Sequence, residues 1–266
     1  MTTAAPRNNS TSLRRALSVL DYVRDHTDAD QRGGVPLAAI AGELGMSKST
    51  ILRLSAPLVD ADLLLRDRET GWFRLGPGAL RLGQAYLSSL DLRTVAREPL
   101  RRLLRTVDET CHLVVYDPPD VVYIDKVENE HSVRMASRVG SRVPAYRTAV
   151  GKAMLAWLGE EPVQAVIDAG MPAVTDRTTT DPAQFRAELD GVRRRGYAVD
   201  DRENEPEVRC VAAPIFDHTQ SVAGALSVSG LASRITPARV HEIGPLIVRI
   251  GLEISRTLGA KGGPDA

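Results

Sequence analysis

Residues 37 to 58, LAAIAGELGMSKSTILRLSAPL, constrain the fold more than any other stretch. Leu37, Ile40, Ala41 and Leu44 recur at i, i+3, i+4 and i+7, which places them on one face of a helix. Gly45 follows where a left-handed cap costs least. Ser47 offers an N-cap to a second helix. That helix is expected to bury Ile51, Leu54 and Leu58 and to leave Lys48, Ser49, Thr50 and Arg53 outside. Two short helices joined by a tight turn form the helix-turn-helix pattern, whose second helix enters the DNA major groove N-terminus first. An ordinary αα-hairpin carries the same pattern, so the flanking residues must decide between them.

Upstream, Ser12 can cap a helix from Leu13 to about His26, with Leu13, Ala16, Leu17, Leu20 and Val23 as its apolar stripe. Residues 1–11 are small and polar and are expected to be disordered. Residues 27–35 form a polar loop, and Pro36 suits the start of the next helix. Downstream, the second helix runs out through Asp60. Leu63–Leu65 begin a strand, Arg66–Gly71 are a charged turn, and Trp72–Leu75 return. A helix, a helix-turn-helix and a hairpin in this order make a winged helix-turn-helix domain over residues 12–77. Such a wing touches phosphates or the minor groove, a role open to Arg66, Arg68 and Arg74, although Asp67 and Glu69 offset their charge.

Residues 78–92 read as a linker helix, and another helix extends to about Thr110, with Pro99 expected to kink or restart it. From Cys111 the period changes. Cys111–Asp117 and Val121–Val127 alternate as a strand pair around Pro118–Pro119–Asp120, and His131–Met135 suggests a third strand. Residues 138–148 read as a loop. Helices follow at 149–158, at 161–169, and at Asp181–Arg195 with Gly196 as its stop. A short strand at 197–201, a strand pair at 209–217 and 221–230, and a last helix from Thr236–Pro237 to about Leu258 complete an α+β domain over 93–259. Residues 260–266 are a polar tail.

The length of 266 residues fits two such domains. Balanced charge, 34 basic against 34 acidic residues, restricts any nucleic-acid surface to a local patch. At 4% aromatic residues, base stacking is an unlikely means of binding. Two cysteines, Cys111 and Cys210, supply no disulfide framework and fit a reducing compartment. No apolar run approaches the roughly 20 residues of a membrane span, and the N-terminus lacks a signal-peptide core. A cytoplasmic protein without membrane contact is therefore expected. His26, His112, His131, His218 and His241 show no metal-ligand spacing, so neither a metal nor a cofactor is implied.

Several segments in order resemble the IclR family of bacterial transcriptional regulators. Ser12–Leu20 (SLRRALSVL) and Gly45–Leu54 (GMSKSTILRL) are similar to the family's opening and recognition helices. Tyr146–Ala156 (YRTAVGKAMLA), Gly196–Glu203 (GYAVDDRE), Cys210–Ile215 (CVAAPI) and Val222–Gly230 (VAGALSVSG) are similar to segments of its effector domain. The resemblance implies a winged helix-turn-helix, a linker helix and a GAF-like effector domain that binds a small molecule. It further implies a homodimer or homotetramer that regulates a metabolic operon, by default as a repressor, on double-stranded operator DNA. Two departures stand out. Pro57 falls where the family continues its helix, which predicts a short or bent recognition helix, and Ala61–Asp62 replaces a Gly-aromatic pair.

Ser47, Lys48, Ser49, Thr50 and Arg53, with Arg66, Arg68 and Arg74 of the wing, are the expected DNA contacts. Hydroxyls at a helix N-terminus suit phosphates, and Arg53, one turn further in, suits a base edge. For the effector, Thr148, Ala149, Val150, Asp200, Cys210, Ser227 and Ser229 are expected to converge, with Met135, Val208 and Leu226 as further wall. Ser227 and Ser229 share one strand face. Small hydroxyls beside a helix start suit a carboxylate or another small polar ligand, and the matching positions line the effector pocket in the resembled family. Read without the family, Ser227 and Ser229 instead face solvent on an edge strand and Cys210 is a small buried hydrophobe. Lys152 is expected to cap or to make a salt bridge on the helix surface, in preference to serving as a ligand or Schiff-base lysine. The acidic run Asp200–Glu205 is expected to be a solvated loop, with a Glu203–Arg202 pair or a gate as alternatives. No catalytic residues are assigned. Two other readings remain open: a hydrolase using Cys210 with a helical dimerisation appendage, and a module that binds protein instead of DNA.

Overall fold

The computed structural model describes residues 11–26, 34–89, 91–129 and 137–261. The chain divides into two compact units, 1–89 and 90–266.

The first unit is built from three helices and a hairpin. Helix α1 spans Thr11–Asp25, α2 Leu37–Glu43 and α3 Lys48–Asp60, and strands β1 (Leu64–Arg66) and β2 (Phe73–Leu75) pair antiparallel. Their core gathers Ala16, Val19, Val23, Ile40, Ile51, Leu54, Leu58, Leu64 and Phe73. The buried stripe of α1 is Ala16, Val19 and Val23, with Leu20 half-buried, which keeps Ala16, Leu20 and Val23 of the predicted stripe, adds Val19 and leaves out Leu13 and Leu17. Leu13 and Leu17 lie on the flank of that stripe and stay 60% and 46% exposed. Ser12 sits inside the first turn, not at the cap.

Pro57 does not shorten α3. The helix continues to Asp60, and the Ala61 amide still reaches the Pro57 carbonyl at 3.1 Å. Pro57 lies on the exposed side of the last turn, where a proline displaces no packed neighbour. Pro99 likewise sits inside an unbroken helix.

Helix α4 (Pro77–Ser89) follows the wing directly. Its start is clamped: the Gly76 and Gly78 amides donate to the Leu63 and Asp62 carbonyls, each at 2.9 Å. A Cβ on Gly76 would stand 2.1 Å from the Asp62 carbonyl oxygen, so only glycine permits this approach. Arg81 adds an ion pair to Asp62 at 3.0 Å.

The second unit opens with α5 (Leu92–Val107), whose N-cap Asp91 accepts from the Arg93 and Thr94 amides. The remaining elements are β3 (Thr110–Asp117), β4 (Asp120–Val127), β5 (Arg142–Pro144), α6 (Ala149–Leu155), α7 (Glu160–Asp168), α8 (Pro182–Arg195), β6 (Ala198–Asp201), β7 (Val208–Phe216), β8 (Val222–Leu231) and α9 (Pro237–Thr257). The strands form one antiparallel sheet in the order β5-β4-β3-β8-β7-β6. The predicted loop at 138–148 thus contains an edge strand, too short for its alternation to register, and a 3-10 turn at Ala145–Arg147. The predicted third strand at His131–Met135 lies outside the described residues.

Alternation sorts the sheet into two cores. Leu113, Val211, Ala213, Leu226 and Val228 pack with α5 and α9. Val114, Ala198, Ala212 and Ala225 pack with α6, α7 and α8. Gly151 lets α6 lie against the Ala145 backbone, where a Cβ would stand 2.1 Å from the carbonyl oxygen.

Candidate DNA-reading face and effector cavity

The exposed face of α3 begins at its cap. Ser47 Oγ accepts from the Thr50 amide at 3.2 Å and lies 3.0 Å from Ser49 Oγ and 2.9 Å from Thr50 Oγ1. The hydroxyl row therefore organises the helix start as well as presenting oxygens to solvent. Lys48 and Arg53 are exposed, and neither has an ion pair or side-chain hydrogen bond among the described residues. In the wing, Asp67 accepts from the Glu69 amide at 3.0 Å and from the Thr70 amide at 2.7 Å. These bonds, with the Thr70 hydroxyl, hold its carboxylate below the usual range. Asp67 thus folds the turn. Arg66 lies over the Phe73 ring at 5.8 Å, while Arg68 and Arg74 project as exposed cations.

In the second unit, strand register assembles a polar row on the α6 face. Asp200 pairs with Cys210 across β6–β7, and Cys210 with Ser229 across β7–β8. One step along, Ser227 of β8 pairs with His112 of β3. Strand β8 is central, and Ser227 and Ser229 are 2% and 4% exposed, which removes the solvent-facing edge-strand alternative. Thr148 caps α6 by accepting from the Gly151 amide at 3.1 Å.

Thr148, Ala149, Val150, Asp200, Val208, Cys210, Ser227 and Ser229 surround one cavity, together with His112, Tyr123, Ser137, Asn204 and Glu205. Met135 lies outside the described residues. Leu226 faces the opposite core, as its odd offset from Ser227 and Ser229 requires. Free space within the described walls is about 30 Å³, room for about two waters.

The cavity's electrostatics follow from burial. Desolvation raises the Asp200 carboxyl to about 7, against the opposing effects of Lys152 and the Glu203 amide, which donates to Asp200 at 2.7 Å. Burial, then Lys126, lowers His112 to about 3, leaving a neutral ring. Its Nε2 meets Ser137 Oγ at 2.7 Å and its Nδ1 lies 3.3 Å from Ser227 Oγ. Only the β3–β8 register brings His112 to the two serines, a pairing that no local sequence signal announces. Burial also raises the Tyr123 hydroxyl.

Two expectations need correction here. Lys152 is 2% exposed and pairs with Glu203, so its salt bridge is internal. The acidic run is not a solvated loop: Asp200 and Glu203 are buried, and Arg202 reaches Asp201 instead of Glu203. Burial strengthened by Asp200 pushes the Cys210 thiol well above its ordinary range, which opposes the thiolate that a cysteine hydrolase needs.

Comparison with known proteins places these two sites in context. The model of the IclR helix-turn-helix domain matches residues 12–68, and that of the bacterial transcriptional regulator IclR C-terminal domain matches residues 84–256. The chain belongs to the IclR family of bacterial transcriptional regulators. It is 34% identical over 249 residues to the HTH-type transcriptional regulator XynR of Escherichia coli (strain K12), covering 93% of this chain and 97% of XynR. It is 32% identical over 260 residues to the transcriptional repressor IclR of the same organism, covering 97% and 93%. The crystal structure of the Agobacterium tumefaciens repressor BlcR superposes with a TM-score of 0.81 at 27% identity, over 96% of this chain and all of that one (100%). The IclR assignment makes the chain a ligand-responsive DNA-binding regulator and gives the hydrolase alternative no support. Among the described residues no helix is long and apolar enough to cross a membrane.

Proposed function

We propose that this IclR-family chain represses a metabolic operon by placing α3 in the major groove of operator DNA. The observation that carries the reading is the state of Lys48 and Arg53. Both are exposed on α3 with no carboxylate partner among the described residues, whereas Arg24 and Arg81 of the same unit are each held by an aspartate. Free exposed cations at a helix start are what a phosphate backbone and a guanine edge require. Ser47, Ser49 and Thr50 supply phosphate contacts, Arg53 a base contact, and Arg66, Arg68 and Arg74 flank them from the wing. Repression is supported by relatives named as repressors, and the regulatory role carries no catalysis.

The effector occupies the cavity formed by Thr148–Val150, Asp200, Val208, Cys210, Ser227 and Ser229. A protonated Asp200 and two serine hydroxyls favour a small organic carboxylate. With about 30 Å³ free within the described walls, a ligand larger than that space binds by displacing a wall. Its differential affinity for the two wall positions shifts the population of DNA-competent arrangements. Leu13 and Leu17 on α1 and Leu80 and Leu82 on α4 are exposed, and a homodimer or higher oligomer would cover them. A dimer also matches a two-fold operator.

The test is a binding titration of the full chain on the DNA upstream of its own gene, repeated at several salt concentrations. Phosphate contacts predict a steep negative log–log slope. A slope near zero would reject DNA as the partner.

A further inference from the structure

The segment that enters α6 faces two cavities with consecutive residues. Thr148, Ala149 and Val150 line the one around Cys210. Pro144, Tyr146 and Arg147 line another, of about 360 Å³, with Pro119, Asp120, Val166, Ala169, Gly170 and Pro172. This volume lies within the range of small-molecule sites. Its walls are largely apolar, and the Tyr146 hydroxyl is turned away to the Pro172 carbonyl at 2.6 Å.

Arg147 is the exception. Its Nε is buried without a hydrogen-bond partner. Among the described residues no carboxylate pairs with its guanidinium and no carbonyl accepts from it. A buried unsatisfied N–H on a cation is costly, and an anion that reaches it recovers the lost interaction. The acid on the rim, Asp120, already lies 3.5 Å from Arg142.

We propose that this cleft is a second ligand site, for a small organic carboxylate whose apolar body packs on the prolines and Val166. A single guanidinium among apolar walls favours a monoanion with a hydrocarbon part over free phosphate, which asks for several donors. The site is separate from the cavity around Cys210 but adjoins it through the Arg147–Thr148 peptide. Occupancy of one therefore acts on the wall of the other.

The test uses the full chain and sodium acetate, butyrate and benzoate, with chloride and phosphate as controls at constant ionic strength, read by thermal shift and calorimetric titration. Butyrate or benzoate should raise the melting temperature, with phosphate giving no more than chloride. In the Ser229→Leu background, where the cavity around Cys210 is filled, Arg147→Gln should weaken the carboxylate at least tenfold. Ala169→Phe, which fills the cleft from an exposed position and so spares the fold, should do the same. Ser229→Leu, which fills the other cavity, should still bind it. The proposal is overturned if no acid stabilises the wild type, or if phosphate matches butyrate. It is equally overturned if Arg147→Gln and Ala169→Phe in that background bind within twofold of the Ser229→Leu parent, or if Ser229→Leu alone abolishes binding.

Discussion

On α3, Lys48 and Arg53 stand in solvent with no carboxylate partner among the described residues, while on α6 Lys152 is buried and closed on Glu203. The same charge serves opposite ends in the two units. An exposed cation stays hydrated and costs the fold little, so it remains available to an external anion. The buried Lys152 is instead neutralised internally, and its partner Glu203 becomes part of the architecture. Free charge on the exposed face of α3 thus stands against a cavity around Cys210 lined mostly by uncharged groups, the Ser227 and Ser229 hydroxyls, the His112 ring and an Asp200 carboxyl raised to about 7, with the Arg147 guanidinium next to it as the exception.

This contrast can be broken at its strongest point first. Glu203→Ala should destabilise the second unit by about 3–5 kcal/mol, because it strands Lys152 in the interior. The double replacement Lys152→Met with Glu203→Met should cost clearly less, as chemical denaturation would show; equal losses would mean that the pair is not a buried charge couple. On the other side, Arg53→Ala should leave the melting temperature unchanged and weaken specific operator binding by about 1–3 kcal/mol. A loss of stability instead of affinity would make Arg53 architectural and erase the distinction.

The next prediction concerns Asp200. Its carboxyl is raised to about 7 in the fold, above the unfolded value of 3.8. The contribution is fully present below the unfolded value and is lost as pH rises through about 7. Wild type should therefore lose stability relative to Asp200→Asn between pH 5 and 7.5, and parallel melting curves would contradict this. Carboxylate binding in the Cys210 cavity should weaken over the same interval and flatten in the variant. Smaller still, Ser47→Ala should cost about 1 kcal/mol of stability through its cap. Lys48→Ala should leave stability alone and reduce the salt slope of DNA binding by about 1.

The two units were also unequally legible. The winged unit is organised by local signals, such as Gly45 with its φ of +58° and the Ser47 cap, so most of its elements follow from the residues in order. What misled was the α1 stripe. Leucines at 13 and 17 satisfy the helical period yet remain uncovered in a single chain, and period alone cannot distinguish a core from a surface another subunit would cover. Pro57 misled differently, since a rule about helix interiors loses force in an exposed last turn. In the α+β unit, Ser227 and Ser229 were readable as a same-face pair, and the family resemblance pointed to their neighbours. His112, Tyr123 and Asn204 were not readable, because their place depends on the pairing of β3 with β8 and on the turn after β6. Nor did sequence distance foretell Lys152 meeting Glu203, which left both misassigned to the surface.

The clamp of Gly76 and Gly78 on the Asp62 and Leu63 carbonyls has a mechanical consequence. A joint with two backbone bonds, no side-chain slack and an ion pair behind it transmits torque. Helix α4 is then a handle rigidly fixed to the reading head, so a twist applied along it turns α3 and the wing as one piece. Slow hydrogen exchange at the Gly76 and Gly78 amides, matching that of the α3 interior, is the signature of such a joint. Rapid exchange there would mark it as a swivel.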